Sequence, residues 1–252
     1  MTGLIRGSGF NLRDYTSARV SLSTVGHSLA TSEVLSFQLA HARARDAVHA
    51  GLHLPSFQLR LQEELPVLAE AGIAVRQVET MAGDRATYLR RPDLGRIVHQ
   101  DSVAQLRGAP CDLAIVIADG LSALAVERNA IPLLHELVPL LLSGEWAIGP
   151  LTLVRYGRVA VGDAVGSLLG ARLSLVLIGE RPGLSSPASL GAYVTWNPGT
   201  KRTDAERNCV SNICAGGLAP DAAAGKVFWY LAEGRAREIT GVGLKEGSLN
   251  LP

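Results

Sequence analysis

The stretch DLAIVIADG, residues 112–120, decides the fold. Six consecutive apolar residues stand between two aspartates, and the stretch ends in Asp-Gly, which is typical of a strand that is buried on both faces and then leaves the core at a turn. Strands of this kind belong to parallel sheets that are covered by helices on both sides. The stretch therefore predicts an α/β fold.

The segments that follow it alternate between helix and strand. Further strands are predicted at LTLVRYGRVAV, from Leu151, at RLSLVLIGERPG, from Arg172, and at LGAYVTW, from Leu190. Helices are predicted in NAIPLLHELVPLLLSG, in DAVGSLLGA and in PDAAAGKVFWYLAEGRAREI, which closes the domain. This alternation predicts a mostly parallel sheet with helices on both faces.

A smaller helical region precedes this sheet. Residues 1–30 have no steady period and are predicted to form an irregular arm. Thr31 or Ser32 is expected to cap a first helix that ends at Gly51, and its Leu35, Leu39 and Ala42 share one face.

A second helical stretch, PSFQLRLQEELPVLAEAG, is interrupted at Pro66, and IAVRQVET, from Ile73, alternates like a half-buried strand. The composition changes near Tyr88. We therefore predict an N-terminal arm and helical region over residues 1–88 and an α/β domain over residues 89–252.

Composition and charge narrow the class of protein. The chain has 252 residues, of which 47% are hydrophobic, so it has ample material for a core. Its net charge of +1 creates no overall field for nucleic acid or an anionic membrane. No apolar run reaches the roughly 18 residues of a membrane span. Cys111, Cys209 and Cys214 are odd in number and lack a CxxC spacing, which favours reduced thiols in the cytoplasm.

Known catalytic motifs are incomplete in this chain. ADGLSA has one glycine where a dinucleotide turn needs several, and Leu124 stands where a nucleophile elbow around Ser122 needs glycine. Gly51 separates His49 from His53 and makes a shared helical face doubtful. Cys209 and Cys214, five residues apart, would diverge on a helix. We expect no catalytic residue and no metal ligand.

The unusual polar residues instead follow the predicted strands. They are Asp119-Gly120, Tyr156-Gly157-Arg158, Glu180-Arg181 and, on a later loop, Arg207 to Asn212. Ligands of open parallel sheets gather at the carboxyl ends of the strands, so this distribution predicts a binding crevice.

Each of these residues also has a purely structural alternative. Asp119 could cap the next helix, and Glu180 could form an ion pair with Arg181 or Arg155. Cys209 could be a small buried filler of the core.

Several segments together resemble one family, the small (light) subunit of adenosylcobalamin-dependent ethanolamine ammonia-lyase. The matching stretches are FQLAHARARDAV, TYLRRPDLGR, IVIADGLSA, VRYGRVAVGDAVGSLLGA, IGERPGLSS and RNCVSNICAGGL. They appear in the family's order over most of residues 35–240.

The resemblance implies a non-catalytic half of an enzyme. In that family a large TIM-barrel subunit holds ethanolamine and converts it to acetaldehyde and ammonia by a radical mechanism. The Rossmann-like domain of the small subunit lines part of the cobalamin site, and both chains assemble as a hetero-oligomer. The small chain alone is expected to be inactive, and the complex is expected in the cytoplasm, either free or within a bacterial microcompartment.

The resemblance also assigns site residues. The family's cobalamin contacts fall on Val159 in VRYGRV, Glu180 in IGERPG and Cys209 in RNCVSN. Glu180 is expected to accept hydrogen bonds from the cofactor without carrying protons. None of the six histidines lies in a DxHxxG setting, so adenosylcobalamin should keep its own benzimidazole as the lower cobalt ligand.

The alternative is a stand-alone α/β protein that binds a nucleotide or another small molecule and has no lyase activity. A subunit should expose an apolar face rimmed with arginine when it is alone, and a stand-alone protein should not.

Overall fold

The computed structural model describes residues 12–16, 18–107 and 110–245. Most of the predicted arm lies within them, but residues 1–11 and 17 lie outside. The described part of the arm contains a short 3-10 turn, Leu12–Asp14, and a two-stranded antiparallel hairpin of β1 (Thr24–Val25) and β2 (Ser28–Leu29).

The main sheet has six strands. They are β3 (Val75–Glu79), β4 (Leu113–Ala118), β5 (Leu151–Arg155), β6 (Leu173–Gly179), β7 (Leu190–Trp196) and β8 (Arg207–Ile213). Their order across the sheet is β3-β5-β4-β6-β7-β8. The first four are mutually parallel, and β7 and β8 extend the sheet with antiparallel pairing. The predicted α/β fold with a mostly parallel sheet is confirmed.

Helices cover both faces of the sheet. They are α1 (Thr31–His49), α2 (Leu54–Glu64), α3 (Val67–Glu70), α4 (Arg85–Arg90), α5 (Gln100–Val103), α6 (Ala123–Ser143), α7 (Val161–Leu168) and α8 (Pro220–Arg237). Helices α2, α6 and α8 pack on one face, which we call the α6 face, and α7 packs on the other, the α7 face.

The burial of strand β4 on both faces explains why its sequence predicts the fold. All six of its residues are buried. Leu113, Ile115 and Ile117 join the hydrophobic cluster of the α6 face, while Ala114, Val116 and Ala118 join that of the α7 face. Because successive side chains of a strand point to opposite faces, a strand between two helical layers must be apolar at every position.

The helical region differs from the prediction at its first helix. Ala30, without a capping side chain, precedes α1, so neither Thr31 nor Ser32 is the N-cap. Leu35 and Leu39 are more than half exposed, and only Ala44 and Ala47 of α1 are buried. The predicted interruption at Pro66 is confirmed, because Pro66 separates α2 from α3.

Strand β3 precedes the predicted domain boundary near Tyr88 but pairs with β5 along its whole length. The sheet therefore takes its edge strand from the N-terminal side of that boundary. The division into two domains remains a prediction.

The expectation for the last segment of the sheet was wrong. Residues from Arg207 to Asn212 were assigned to a loop, but they form most of β8, the last strand of the sheet. A buried ion pair anchors this strand: both terminal nitrogens of Arg207 lie 2.7 Å from the two carboxylate oxygens of Asp163 on α7. A bidentate pair of this kind fixes both distance and orientation.

Two glycines bring the carboxyl ends of β4 and β6 together. Gly120 has φ +56°, and a Cβ on it would collide with the backbone of Gly179. A Cβ on Gly179 would in turn collide with the backbone oxygen of Ser122. The Leu121 N–H donates to the Gly179 oxygen at 2.9 Å, which this close approach permits.

We predict that Gly179→Ala lowers the free energy of unfolding by at least about 2 kcal/mol, because two backbone segments must move apart. Gly199→Ala is the control, since a Cβ there would meet nothing within 4 Å; its effect should stay within about 0.5 kcal/mol. Urea unfolding of both variants measures the difference. Equal midpoints would contradict the importance of this contact.

Candidate functional site

The polar residues at the carboxyl ends of the strands fall into two separate groups. Asp119, Gly157 and Arg158 belong to an internal network at the ends of β4 and β5. Glu180 belongs to an open cluster on the α7 face beyond β6. These residues therefore form two separate groups and not the single crevice that the sequence predicted.

The first group centres on Arg85 of α4. Its guanidinium donates to the backbone oxygens of Val48, Gly120 and Leu121 at 2.6–3.1 Å, and Nη1 lies 3.7 Å from the Asp119 carboxylate. Arg85 also lies over the ring of Tyr88, 5.0 Å from its centroid. One side chain thus joins the end of α1, α4 and the turn after β4.

Asp119 is fully buried in this group. It accepts a hydrogen bond from the Gly157 N–H at 3.3 Å, and Ser122, not Asp119, caps α6. The alternative in which Asp119 caps the next helix is therefore wrong. Burial raises the pKa of Asp119 from an ordinary value of 3.8 to about 6, although the nearby Arg85 acts in the opposite direction.

Tyr88 and Arg158 complete the group. The Tyr88 hydroxyl donates to the Gly157 oxygen at 3.1 Å, and Arg158 stacks 4.2 Å from the centroid of the same ring. Burial raises the pKa of Tyr88 well above its usual value. The side chains of this group thus join the turns that follow β4 and β5 to each other and to α4.

Ser122 has no nucleophilic setting. It is buried, its hydroxyl accepts from the Ala125 N–H at 3.2 Å, and it donates to the Pro187 oxygen at 2.9 Å.

His49 ends α1, and His53 caps α2 by accepting from the Ser56 N–H, so the two imidazoles do not share a helix. Within the described ranges, no group of three or more His, Cys, Asp or Glu could hold a metal ion.

The second group lies around Glu180, and we call it the Glu180 cluster: Glu180, Gly191, Tyr193, Cys209 and Asn212. Tyr193 of β7 pairs directly with Cys209 of β8. The Asn212 N–H donates to Glu180 Oε2 at 3.2 Å. No ion pair joins Glu180 to Arg181 or Arg155, all three of which are described, so the salt-bridge alternative is wrong.

Val159 approaches the same face from the loop before α7. It is half-buried and packs against the hydrophobic cluster of the α7 face, as does Tyr193. The three residues assigned by resemblance, Val159, Glu180 and Cys209, therefore lie on one side of the sheet. Their assignment to a cofactor remains a prediction.

The thiol and the phenol of the cluster keep their protons. Although Cys209 as a residue is exposed, the partial removal of its thiol from water raises its pKa; a hydrogen bond with Tyr193 lowers this pKa, and the neighbouring Glu180 raises it. Burial, followed by the nearby Cys209, raises the pKa of Tyr193. Cys209 is exposed, so the filler role does not apply, and as a neutral thiol it is a poor nucleophile.

The sequence did not point to Gly191 or Tyr193 as part of a site, and it included Asn212 only as the end of the polar segment Arg207 to Asn212. In the sequence, Tyr193 is one residue of a predicted buried strand, and Asn212 was predicted to lie on a loop. A signal was present in the alternation of LGAYVTW, which sets Gly191 and Tyr193 on the same face. Their meeting with Glu180 requires the pairing of β6, β7 and β8.

A cavity of about 600 Å³ lies on the other side of the carboxyl edge, between α1 and the start of α6. Its lining includes charges of both signs, Arg43, Asp46, Glu127 and Arg128. None of the residues assigned by resemblance lines it.

The fold and the cluster together define a class: a Rossmann-like α/β protein whose polar cluster lies on an open sheet face. The model of the ethanolamine ammonia-lyase light chain (EutC) family matches residues 9–245. The chain belongs to the ethanolamine ammonia-lyase light-chain family.

Curated relatives agree over nearly the whole chain. A protein of Bradyrhizobium diazoefficiens named ethanolamine ammonia-lyase small subunit is 52% identical over 242 residues, covering 94% of this chain and 90% of the relative. One of Azotobacter vinelandii with the same name is 48% identical, covering 93% and 87%. One of Xanthomonas campestris pv. campestris is 46% identical, covering 96% and 88%. The family resemblance inferred from the motifs is confirmed.

The buried carboxyl of Asp119 gives a prediction for pH dependence. A carboxyl whose pKa is raised in the folded state binds its proton more tightly there, so stability is gained as the pH falls through about 6 and lost as it rises. Asp119→Asn has no ionisable group at this position, so the variant should lack this loss of stability. The free energy of unfolding of the variant, relative to the original protein, should rise by about 2–3 kcal/mol between pH 4 and 7.

Urea unfolding at a series of pH values measures this difference, in which the other titrating groups cancel. Asp101→Asn is the matched control, because the Asp101 side chain is 91% exposed. A constant difference between Asp119→Asn and the original protein would contradict the assignment of the raised pKa to Asp119.

Proposed function

We propose that this chain is the small subunit of ethanolamine ammonia-lyase and that it helps to bind adenosylcobalamin at an interface with a TIM-barrel large subunit. The large subunit would hold ethanolamine and convert it to acetaldehyde and ammonia. The observation that carries the proposal is that Val159, Glu180 and Cys209, which are distant in sequence, share one open face of the sheet in a member of this family.

An exposed apolar surface supports the role of a subunit. Residues of β2 and α1 expose large apolar side chains: Leu29, Val34, Leu35, Phe37 and Leu39 are 38–59% exposed. The exposed Arg43 and Arg45 follow on the same helix, and Arg19 lies over the Phe37 ring at 5.4 Å. Several exposed large apolar side chains on neighbouring elements, close to arginines, are typical of a protein interface. This feature favours a subunit over a stand-alone protein.

The chemistry of the Glu180 cluster fits a cobalamin. A corrin ring fringed with amides needs an apolar wall and hydrogen-bond acceptors. Val159 and the Tyr193 ring supply apolar surface, and the second carboxylate oxygen of Glu180, Oε1, has no hydrogen-bond partner among the described residues. Gly191 keeps the space beside this oxygen free of a side chain.

The residues of this chain would bind and orient, and they would not transfer protons. Glu180 would accept a hydrogen bond from an amide or ribose donor. Cys209 and Tyr193, whose pKa values are raised, would remain neutral beside it. When bound, adenosylcobalamin supplies the radical that removes a hydrogen atom from the substrate. The cobalt would keep its benzimidazole ligand, because no histidine of the chain lies in a DxHxxG setting.

The complex would act in the cytoplasm, either free or within a bacterial microcompartment. Among the described helices, none combines the length and the apolar character needed to cross a membrane.

The division of labour between the subunits gives a direct prediction. This chain alone should release no ammonia from ethanolamine in the presence of adenosylcobalamin, and the complex co-expressed with a large subunit should do so. A coupled ammonia assay on the purified chain and on the complex makes the comparison. Ammonia release by the chain alone would contradict the proposal, and failure to form a complex would favour the stand-alone alternative.

Glu180→Gln tests the role of the carboxylate. We expect adenosylcobalamin to bind the complex about tenfold more weakly, because a neutral amide is a weaker acceptor than a carboxylate. Turnover at saturating cofactor should be retained. Glu70→Gln, at an exposed position of α3, is the control. Unchanged affinity combined with abolished turnover would show that Glu180 acts in the chemistry itself.

A further inference from the structure

We infer that a β-bulge at Asn212, together with Gly191, positions the carboxylate of Glu180 so that Oε2 is held by the protein and Oε1 faces a hydrogen-bond donor of the ligand. This inference rests on the proposed function, and it makes Asn212 and Gly191 positioning residues for cofactor binding.

The bulge is visible in the register of β7 and β8. Leu190 pairs with Ile213, and Ala192 pairs with Val210, so a step of two residues on β7 faces a step of three on β8. The extra residue lies within Ser211–Asn212, opposite Gly191. Bulges release a backbone group from the ladder and often occur beside functional sites.

Asn212 directs the released N–H towards Glu180. Its φ is +58°, in the left-handed region that asparagine tolerates better than most residues. In this conformation its N–H donates to Glu180 Oε2 at 3.2 Å. One carboxylate oxygen is therefore fixed by the backbone rather than by a flexible side chain.

The surrounding loop holds Asn212 in this conformation. The Asn212 backbone oxygen accepts from the Leu218 N–H at 2.8 Å. The Cys214 sulfur lies 3.7 Å from the Asn212 side-chain oxygen. A Cβ at Gly217 would collide with Asn212. A strained backbone persists only where its surroundings enforce it, as they do here.

Gly191 leaves the other side of the carboxylate open. A Cβ there would lie 3.1 Å from Glu180 Oε1 and 3.0 Å from Cε2 of Tyr193. These distances are too short for the present arrangement, so either the carboxylate or the tyrosine ring would have to move. Gly191 thus preserves both the place of Oε1 and the surface beside it.

The resulting geometry favours one class of ligand group. Oε2 already accepts a backbone N–H, and neighbouring Cys209 and Tyr193 are neutral. Oε1 is left to accept one more hydrogen bond from a fixed direction, as an amide N–H or a hydroxyl of the cofactor would supply it.

Two substitutions of Asn212 separate its backbone from its side chain. Asn212→Gly keeps the left-handed conformation and the N–H, and it should keep adenosylcobalamin affinity within about twofold. Asn212→Val disfavours this conformation, and it should weaken binding about tenfold, since a hydrogen bond to a charged group is lost. The measurement is an absorbance titration of the complex of both subunits with adenosylcobalamin. Equal affinities of the two variants would overturn the role of the bulge.

Gly191→Ala is tested in two backgrounds. With Glu180 present it should weaken adenosylcobalamin binding about tenfold, and in a Glu180→Ala background the loss should be clearly smaller, because only the contact with the Tyr193 ring remains. An equal loss in both backgrounds, or no loss in either, would overturn the inference. This double-mutant cycle tests the inference even if Asn212→Val does not fold.

Glu180→Ala alone distinguishes a failure of the proposed role of Glu180 from a failure of the positioning inference. If it leaves adenosylcobalamin affinity unchanged, the proposed role of Glu180 fails. If it weakens binding while Gly191→Ala and Asn212→Val do not, the proposed function stands and only the positioning inference fails. Assembly of the complex and the unfolding midpoint of each variant, measured in parallel, distinguish a local effect on the site from a loss of folding.

Discussion

The structure depends on the close approach of two backbone segments at Gly120 and Gly179. The turn after β4 lies directly against the end of β6, with no side chain between them. The Leu121 N–H then bonds to the Gly179 oxygen, and α6 starts from the adjacent Ser122. Because Glu180 follows Gly179 directly, this contact also determines where β6 ends and where the Glu180 side chain stands.

Two polar groups result from this arrangement, and they have different roles. Asp119 and Tyr88 are buried and Arg85 is partly buried, and their hydrogen bonds join helices and turns within the domain. A buried network of this kind is costly to leave incomplete, and Asp119 illustrates the cost through its raised pKa. The Glu180 cluster lies on the open face, and Oε1 of Glu180 has no hydrogen-bond partner within the described part of the chain. The internal network joins helices and turns of the scaffold, whereas the cluster is the part that would contact the proposed ligand.

The antiparallel extension of the sheet makes the second group possible. Strand β8 is held beside the cluster by its pairing with β7, and the buried pair of Arg207 and Asp163 also ties it to α7. A buried charge left without its partner is strongly destabilising, so the pair also restricts β8 to this position. The apolar residues of β2 and α1 lie apart from this core and remain exposed, as expected for a chain that completes its surface with another subunit.

The sequence by itself determined the α/β class, five of the six strands of the main sheet and the helices around them except α4 and α5, because continuous apolar strands and periodic helices record burial directly. Its motifs also determined the family. Strand β8 was missed, because its polar residues and its bulge break the alternation that identifies a strand. The sequence placed Asp119 and Glu180 at strand ends alike, yet only the tertiary structure decided that one is buried beside Arg85 and the other faces outward. Burial and strand register arise from contacts between residues distant in sequence, so no local pattern could separate the two carboxylates or bring Gly191 and Asn212 to Glu180.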